Sequence, residues 1–554
     1  MTDLATLSAD YFADLLEFDP FGATAFGVPG HDDAVPDPSR AADHARLDRL
    51  AGCRTRLNAL DPHAGTPQDR VTRDMLDRLL ADQEAELAAG LGVGAFEVGV
   101  TATIAGLQNA VFAVVPAVRP AGEEDFAAYL RRLSALPGYF DALGTRYEQA
   151  TREGRHSTAT GVRQAVDQLR AYLASLPAQD PFLRPAAGDP DRLDRVAAVV
   201  VRTVRPAVAR FTGTLAGLAG RDDDRVGICH VPGGEAAYAA ATRSHTSTSL
   251  SPEEIHRIGL DQLARVHEEF AVLGESVFGT SDVTEVLRRL REDTSLRFDT
   301  ADQILDTATT ALRRAEDALP GWFRRYDIAP CEIKPMHPVE AENSVLAYYG
   351  APAADGSRPG AYVVNTHHPR SRPRFEYEAL SFHESVPGHH LQLALAQSLR
   401  DLPGFRRFAY ITAHGEGWGL YSERLADEMG LYTDDLARMG MLSFDAWRAC
   451  RLVVDTGMHH FGWSRDRALA FLRDGSALSD VNVRNEIDRY IAWPGQATAY
   501  LVGRLRIEEL RERARRTLGA RFDIRDFHHH VLANGAVPLD TLTTIVDRWI
   551  AAGR

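Results

Sequence analysis

The sequence predicts a mostly α protein with one small antiparallel β-sheet placed just before its most unusual motif. Three observations predict it. Apolar residues recur at helical spacing through the first 250 residues and again from about 374 to the end. Between these regions lie three short segments rich in β-formers, 331–336, 344–349 and 361–366, separated by Gly and Pro. Several helices also announce their own start with capping residues.

Taken in order, helical spacing covers Tyr11–Phe18, Leu47–Leu60, Val71–Leu91, Phe126–Thr151, Ser157–Leu173 and Pro190–Leu218, with a loop at 176–190. The run Val98–Val118 lacks charge, but its Thr, Gln, Asn, Gly and Pro residues suit buried core and not a membrane span. At Ser251-Pro252-Glu253-Glu254, serine caps, proline takes the first helical position and Glu254 completes a capping box. Thr300 and Gln303 form a similar box, for a helix that stops near Pro320-Gly321. After the strands, with a turn at 355–360, breaks are expected at Pro387-Gly388, Pro403-Gly404, Gly430, Pro494-Gly495 and Pro538. The organisation expected is a helical lobe over 1–250 and a lobe over 251–554 that holds the sheet and the motifs, joined as one continuous structural unit.

The chain has 554 residues, of which 45% are apolar and 25% charged, which excludes a disordered chain and a small disulfide scaffold. Acidic residues outnumber basic ones 77 to 62 and no basic patch is visible, so nucleic acid is not an expected partner. Cys53, Cys229, Cys331 and Cys450 are scattered, without a CxxC pair. With an acidic, amphipathic N-terminus and no apolar leader, this reads as a reduced, cytoplasmic protein with no membrane partner. No G-x-S-x-G elbow, P-loop or dinucleotide fingerprint competes for the chemistry.

The motif that carries chemistry is His383-Glu384-Ser385-Val386-Pro387-Gly388-His389-His390. In the HExxH pattern two imidazoles one helical turn apart reach one metal, and the glutamate beside the first accepts a proton from water that the metal activates. Here the i+4 position is Pro387, which cannot ligate. On a regular helix His389 would point about 120° away, and His390 would sit about 10.5 Å along the axis. Proline and glycine break or bulge helices, so a loop-out restores the pairing. If two residues loop out, His389 takes the second place; if three do, His390 takes it.

A catalytic zinc needs a third protein ligand and an open position. In His414-Gly415-Glu416-Gly417-Trp418-Gly419-Leu420-Tyr421-Ser422-Glu423, followed by Asp427, the three carboxylates fall on one helix face within about 40°. Glu416 is read as the third ligand, with His414 as its rival. Glu423 and Asp427 are read as carboxylates that orient the histidines. Asp455 and His459, at i and i+4, form a candidate pair that holds an imidazolium near developing charge. Tyr490 and Tyr500 are candidate donors to an oxyanion. The triple His528-His529-His530 points in three directions on a helix and is read as structural.

These residues lie in RFEYEALSFHESVPGHHLQ, HGEGWGLYSE, VVDTGMHHFGWSRDRA and EIDRYIAWPGQATAYLVG. Together with SPEEIHRIGLDQ, DGSRPGAYVVNT and FHHHVLANGAVPLDTL, they resemble the domain of unknown function 885 family of bacterial metallopeptidase-like proteins, over roughly residues 250–545. That family is distantly similar to thermostable carboxypeptidase Taq and thimet oligopeptidase. The resemblance implies a large, helical, gluzincin-like fold of two lobes around a deep cleft. It implies one zinc ion on His383, His389 and Glu416, with Glu384 as general base. Alignment on the Gly-His that ends the interrupted motif of dipeptidyl peptidase III favours His389 over His390, leaving His390 to reach substrate. In gluzincins an edge strand beside the metal pairs with an extended substrate. Tyr362 is thereby a substrate-binding candidate, and Arg358 and Arg370 candidates for a substrate carboxylate. The expected function is zinc-dependent hydrolysis of peptide or amide bonds. The alternative is a pathway-specific metalloenzyme acting on one small amide or ester, or catalysing a non-hydrolytic step.

Overall fold

In the computed structural model, which describes residues 3–336, 341, 345–352 and 358–553, helices hold 72% of the chain and strands 3%. The capping boxes at Ser251 and Thr300 are both formed, and they start the helices Pro252–Phe278 and Ala301–Trp322. The second of these carries Pro320 inside its last turn, where few later N–H groups need the carbonyls the ring obstructs, and ends two residues beyond it. The run 190–218 is not one α-helix. It divides into Pro190–Val199, a π turn at Val200–Val204 and Arg205–Ala216. Pro206 lacks the N–H that would continue the i→i−4 ladder, and the wider turn absorbs the mismatch.

The sheet is mixed and not purely antiparallel. Strands β1 (Glu332–Pro335), β2 (Ala347–Gly350) and β3 (Ala361–Val364) lie in the order β1-β3-β2. β2 and β3 pair antiparallel, with Tyr349 opposite Tyr362, whereas β1 pairs parallel to β3, with Ile333 opposite Tyr362. β1 lies on the edge of β3 opposite β2, so β3 is the central strand. Of the turn expected at 355–360, residues 355–357 lie outside the described residues, as does Ser344 at the start of the second expected strand.

Among the described residues, the two largest hydrophobic cores do not divide at position 250. The larger gathers Leu7, Tyr11, Leu50 and Leu76 from the N-terminal helices with Phe270, Trp418, Leu452 and Ile550. The smaller lies wholly in the N-terminal region, from Phe21 through Tyr129 and Phe140 to Leu215. At the centre runs the helix Asp435–His459, buried on every side and packed along Pro252–Phe278. Thr412–Glu428 lies equally close to Ala499–Leu518. A Cβ on Gly503 would stand 1.8 Å from the Ala413 carbonyl oxygen, so only glycine lets these two backbones meet.

Candidate metal centre

His383 sits on the helix Tyr377–Glu384, which follows β3 through the short turns Pro369–Ser371 and Arg374–Glu376. That helix breaks and does not run on through a bulge, in line with the break expected at Pro387-Gly388. It ends at Ser385 (φ −103°, ψ −116°), and a second helix, His389–Ser398, begins after Gly388. Pro387 cannot donate to the ladder, and Gly388 passes so close to the helix end that a Cβ would be 1.9 Å from the His383 carbonyl oxygen. The Trp418 indole N–H donates to the Pro387 carbonyl at 2.8 Å and pins the turn against the helix Thr412–Glu428. The turn carries His389 back to His383, with ring centroids 4.6 Å apart and planes at 86°.

Glu416, on Thr412–Glu428, completes the group. Its Oε2 lies 3.6 Å from His383 Nε2 and 3.5 Å from His389 Nε2. Both histidines are buried, and one donor atom from each of the three residues lies within 4.8 Å of the others. Glu416 Oε1 accepts the Tyr410 hydroxyl at 2.6 Å, which leaves Oε2 for the histidines. Glu423, seven residues on and fully buried, lies 2.7 Å from His383 Nδ1 and so turns His383 Nε2 toward Glu416. Between the two carboxylates, a Cβ on Gly419 would stand 2.5 Å from the His383 ring, so the glycine makes room for the imidazole.

The electrostatics are those of a tight cluster of opposite charges. Burial alone would lower the His383 pKa, but the Glu416, Glu423 and Glu384 carboxylates outweigh it and raise it to about 9. Burial would raise Glu416; His383 and His389 overcome it and hold the carboxyl well below its usual range. For Glu384 burial wins over the attraction of the same histidines, and its pKa is raised. Two imidazole nitrogens and a carboxylate oxygen form a donor set that zinc accepts, with room for a fourth ligand. His389 Nδ1 is buried without a hydrogen-bond partner, so the ring has no other task that competes with this one.

The remaining sequence candidates divide. Tyr500 lies close enough to Glu416 for that carboxylate to raise its pKa further, after burial, and its ring faces the Arg451 guanidinium at 4.4 Å. Tyr490 is turned away: it takes hydrogen bonds from Trp447 Nε1 at 3.0 Å and Arg451 Nε at 2.7 Å and donates to Glu486. Asp455 and His459 do not pair. Asp455 accepts from the Tyr238 hydroxyl at 2.7 Å and the Gly495 N–H at 3.1 Å. His459 is held between the Ile228 N–H and the Tyr490 carbonyl, at 3.2 and 3.0 Å. On a helix buried all round, these two side chains are satisfied by whichever neighbours reach them, and i, i+4 spacing does not decide the partner.

Asp427 is likewise not beside the histidines; Arg438 binds both its oxygens, at 2.8 and 3.2 Å. His414 points to the Val537 backbone, 3.0 Å from its carbonyl. His390 spends both ring nitrogens, on the Tyr349 hydroxyl and the Ala329 carbonyl, each at 3.0 Å. Tyr362 is fully buried on the central strand, which has no free edge for a substrate, and its hydroxyl lies 3.4 Å from Ser381 Oγ. Arg358 is exposed and donates to the Ala351 carbonyl at 3.2 Å; Arg370 is exposed on its short turn. His528 is structural, tied to Tyr421 and the Trp322 carbonyl.

Two residues near the centre went unread in the sequence. Tyr410 precedes its helix, where no periodicity points at Glu416. Arg448 is 5% exposed, stacks on Phe444 and Trp447, feels the charges of Glu423 and Glu416, and has Nε and Nη1 unpartnered. The glycines at 415, 417 and 419 were a legible signal of close packing around the motif.

Two expected results follow from this geometry. Glu423→Gln removes the charge that orients His383, so zinc affinity falls roughly 10–100-fold in a chelator competition; unchanged affinity would show that the carboxylate has no such role. Asp455 supplies a pH effect. Burial raises its pKa to about 7, so the folded state holds a proton that the unfolded chain has released. Its contribution is therefore favourable at low pH and is lost as pH rises from about 4 through about 7. Asp455→Asn flattens that part of the stability curve, read from urea midpoints across the range, and a slope equal to that of the parent would exclude the effect.

The fold and site define a large helical protein that gathers two histidines and a glutamate, drawn from three helices, beside a buried acidic side chain. The chain belongs to the family described as bacterial protein of unknown function (DUF885), whose pattern matches residues 20–546. Two solved structures are similar over almost their whole length. One, a "putative lipoprotein" from Colwellia psychrerythraea, has a TM-score of 0.90 at 26% identity and covers 99% of each chain. The other, a "putative lipoprotein of unknown function" from Shewanella oneidensis, has a TM-score of 0.74 at 17% identity, covering 98% of this chain and 99% of its own. No curated protein matches the chain. Among the described residues, no helix is long and apolar enough to cross a membrane.

Proposed function

We propose that this protein is a zinc-dependent hydrolase of peptide or amide bonds, with His383, His389 and Glu416 as ligands of one ion. The observation that carries the reading is the convergence of these three donors within 4.8 Å, with Glu384 adjacent in sequence to the first of them. Zinc, when bound, supplies a Lewis acid that polarises the scissile carbonyl and acidifies water. The chain's own residues do the rest. Glu384, with its raised pKa, takes the proton from the attacking water and returns it to the leaving nitrogen. Glu423 holds the His383 tautomer and Tyr410 orients Glu416. Tyr500, whose pKa is raised by burial and then by Glu416, is the phenol we assign to donate to the oxyanion as charge develops there.

Metal analysis of the purified protein and digestion of a mixed peptide library, with and without chelator, test this. Zinc at one ion per chain with chelator-sensitive cleavage supports the reading. A zinc-loaded protein that leaves every peptide intact rejects general peptidase activity.

A further inference from the structure

Beside the centre lies a cavity of about 260 Å³ that none of the three donor residues lines. Its walls come from three regions of the chain: the two consecutive N-terminal helices, Leu79 and Gln83 on the helix Pro67–Ala88, and residues 404–411. The helix Asp3–Phe18 supplies Tyr11, Phe12 and Leu15, the helix Pro20–Phe26 supplies Phe26, and residues 404–411 supply Phe405, Phe408 and Tyr410. The rings brace one another: Phe12 stacks on Phe408 with centroids 5.9 Å apart, and Tyr11 meets Phe405 edge-on at 5.5 Å. The polar groups on the lining are already occupied. Asp19 accepts the Gly22 N–H at 2.9 Å, and Gln83 donates to the Tyr11 hydroxyl at 2.6 Å while accepting from Arg46 at 3.1 Å. What remains for an occupant is mostly apolar surface.

Tyr410 belongs to both places. It lines the cavity, and its hydroxyl lies 2.6 Å from Glu416, so cavity and donor cluster are one tyrosine side chain apart. An apolar cavity of about 150 Å³ is enough to take benzene, so this larger one has space for a bicyclic ring. We infer that the cavity is a binding pocket for an uncharged, apolar, ring-sized group of the ligand, such as an aromatic side chain next to the bond at the His383–His389–Glu416 centre. The placement of that bond rests on the hydrolase reading; the pocket itself does not.

The test uses the zinc-loaded full chain with indole as probe, followed by calorimetry, and two peptides that differ only in phenylalanine or alanine beside the cleaved bond. Leu15→Trp fills the space from a partly exposed position. The expected result is indole binding that weakens at least tenfold in Leu15→Trp, with a similar loss in kcat/KM for the phenylalanine peptide relative to the alanine peptide. If the tryptophan variant does not fold, Phe26→Ala, which removes one wall ring, is expected to weaken indole in the same direction. Indole that fails to bind, or binds equally well to Leu15→Trp and Phe26→Ala, overturns the pocket even if both peptides are cleaved. Indole lost from the variants in a protein that cleaves no peptide supports the pocket and counts against the hydrolase reading alone.

Discussion

Glu384→Gln retains zinc and loses turnover by roughly 10²–10⁴-fold, the range expected when a general base is removed. The amide keeps the shape of the carboxylate but cannot take the proton from water. The environment argues for the effect: Glu384 is half-buried beside His383, and burial raises its pKa toward the working range of a base. Glu384 ligates nothing in the proposed site, so the metal content of the variant equals that of the parent. Turnover and zinc stoichiometry measured on one preparation separate the outcomes. A variant with full activity removes Glu384 from the mechanism, and a variant without zinc places it among the ligands.

His389→Ala loses zinc, whereas His390→Ala keeps it. The two residues are neighbours, but the break after Ser385 starts a new helix at His389, which turns consecutive side chains about 100° apart. His389 Nε2 therefore faces Glu416, while His390 is tied on both sides by Tyr349 and the Ala329 carbonyl. Burial also pushes the His390 pKa down to about 4, so the ring stays neutral in these two hydrogen bonds at ordinary pH. Its removal costs packing and stability, not a donor. Zinc lost from the His390 variant and kept by the His389 variant would reverse the assignment.

Much of this protein is written locally. Helical spacing, the capping boxes at Ser251 and Thr300, and the β-formers around Lys334, Tyr348 and Val363 depend on neighbours a few residues away, and the boxes and strands formed where the pattern placed them, while the run 190–218 was divided by a π turn. The spacing of Glu416 and Glu423 on one helix face was legible for the same reason, since helix geometry alone sets it. What sequence could not decide were relations between elements. The depth of the break at Ser385–Gly388 depends on Trp418 holding the turn and on how near Gly388 comes to the preceding helix end. Asp455 and His459 were separated because Tyr238, Gly495 and Ile228, distant in sequence, satisfied them first. The direction of β1, the N-terminal helices in the main core and the aromatic cavity beside Tyr410 have the same origin. A buried polar group or an exposed ring takes the partner that the whole chain brings to it, and periodicity along one helix holds no record of that partner.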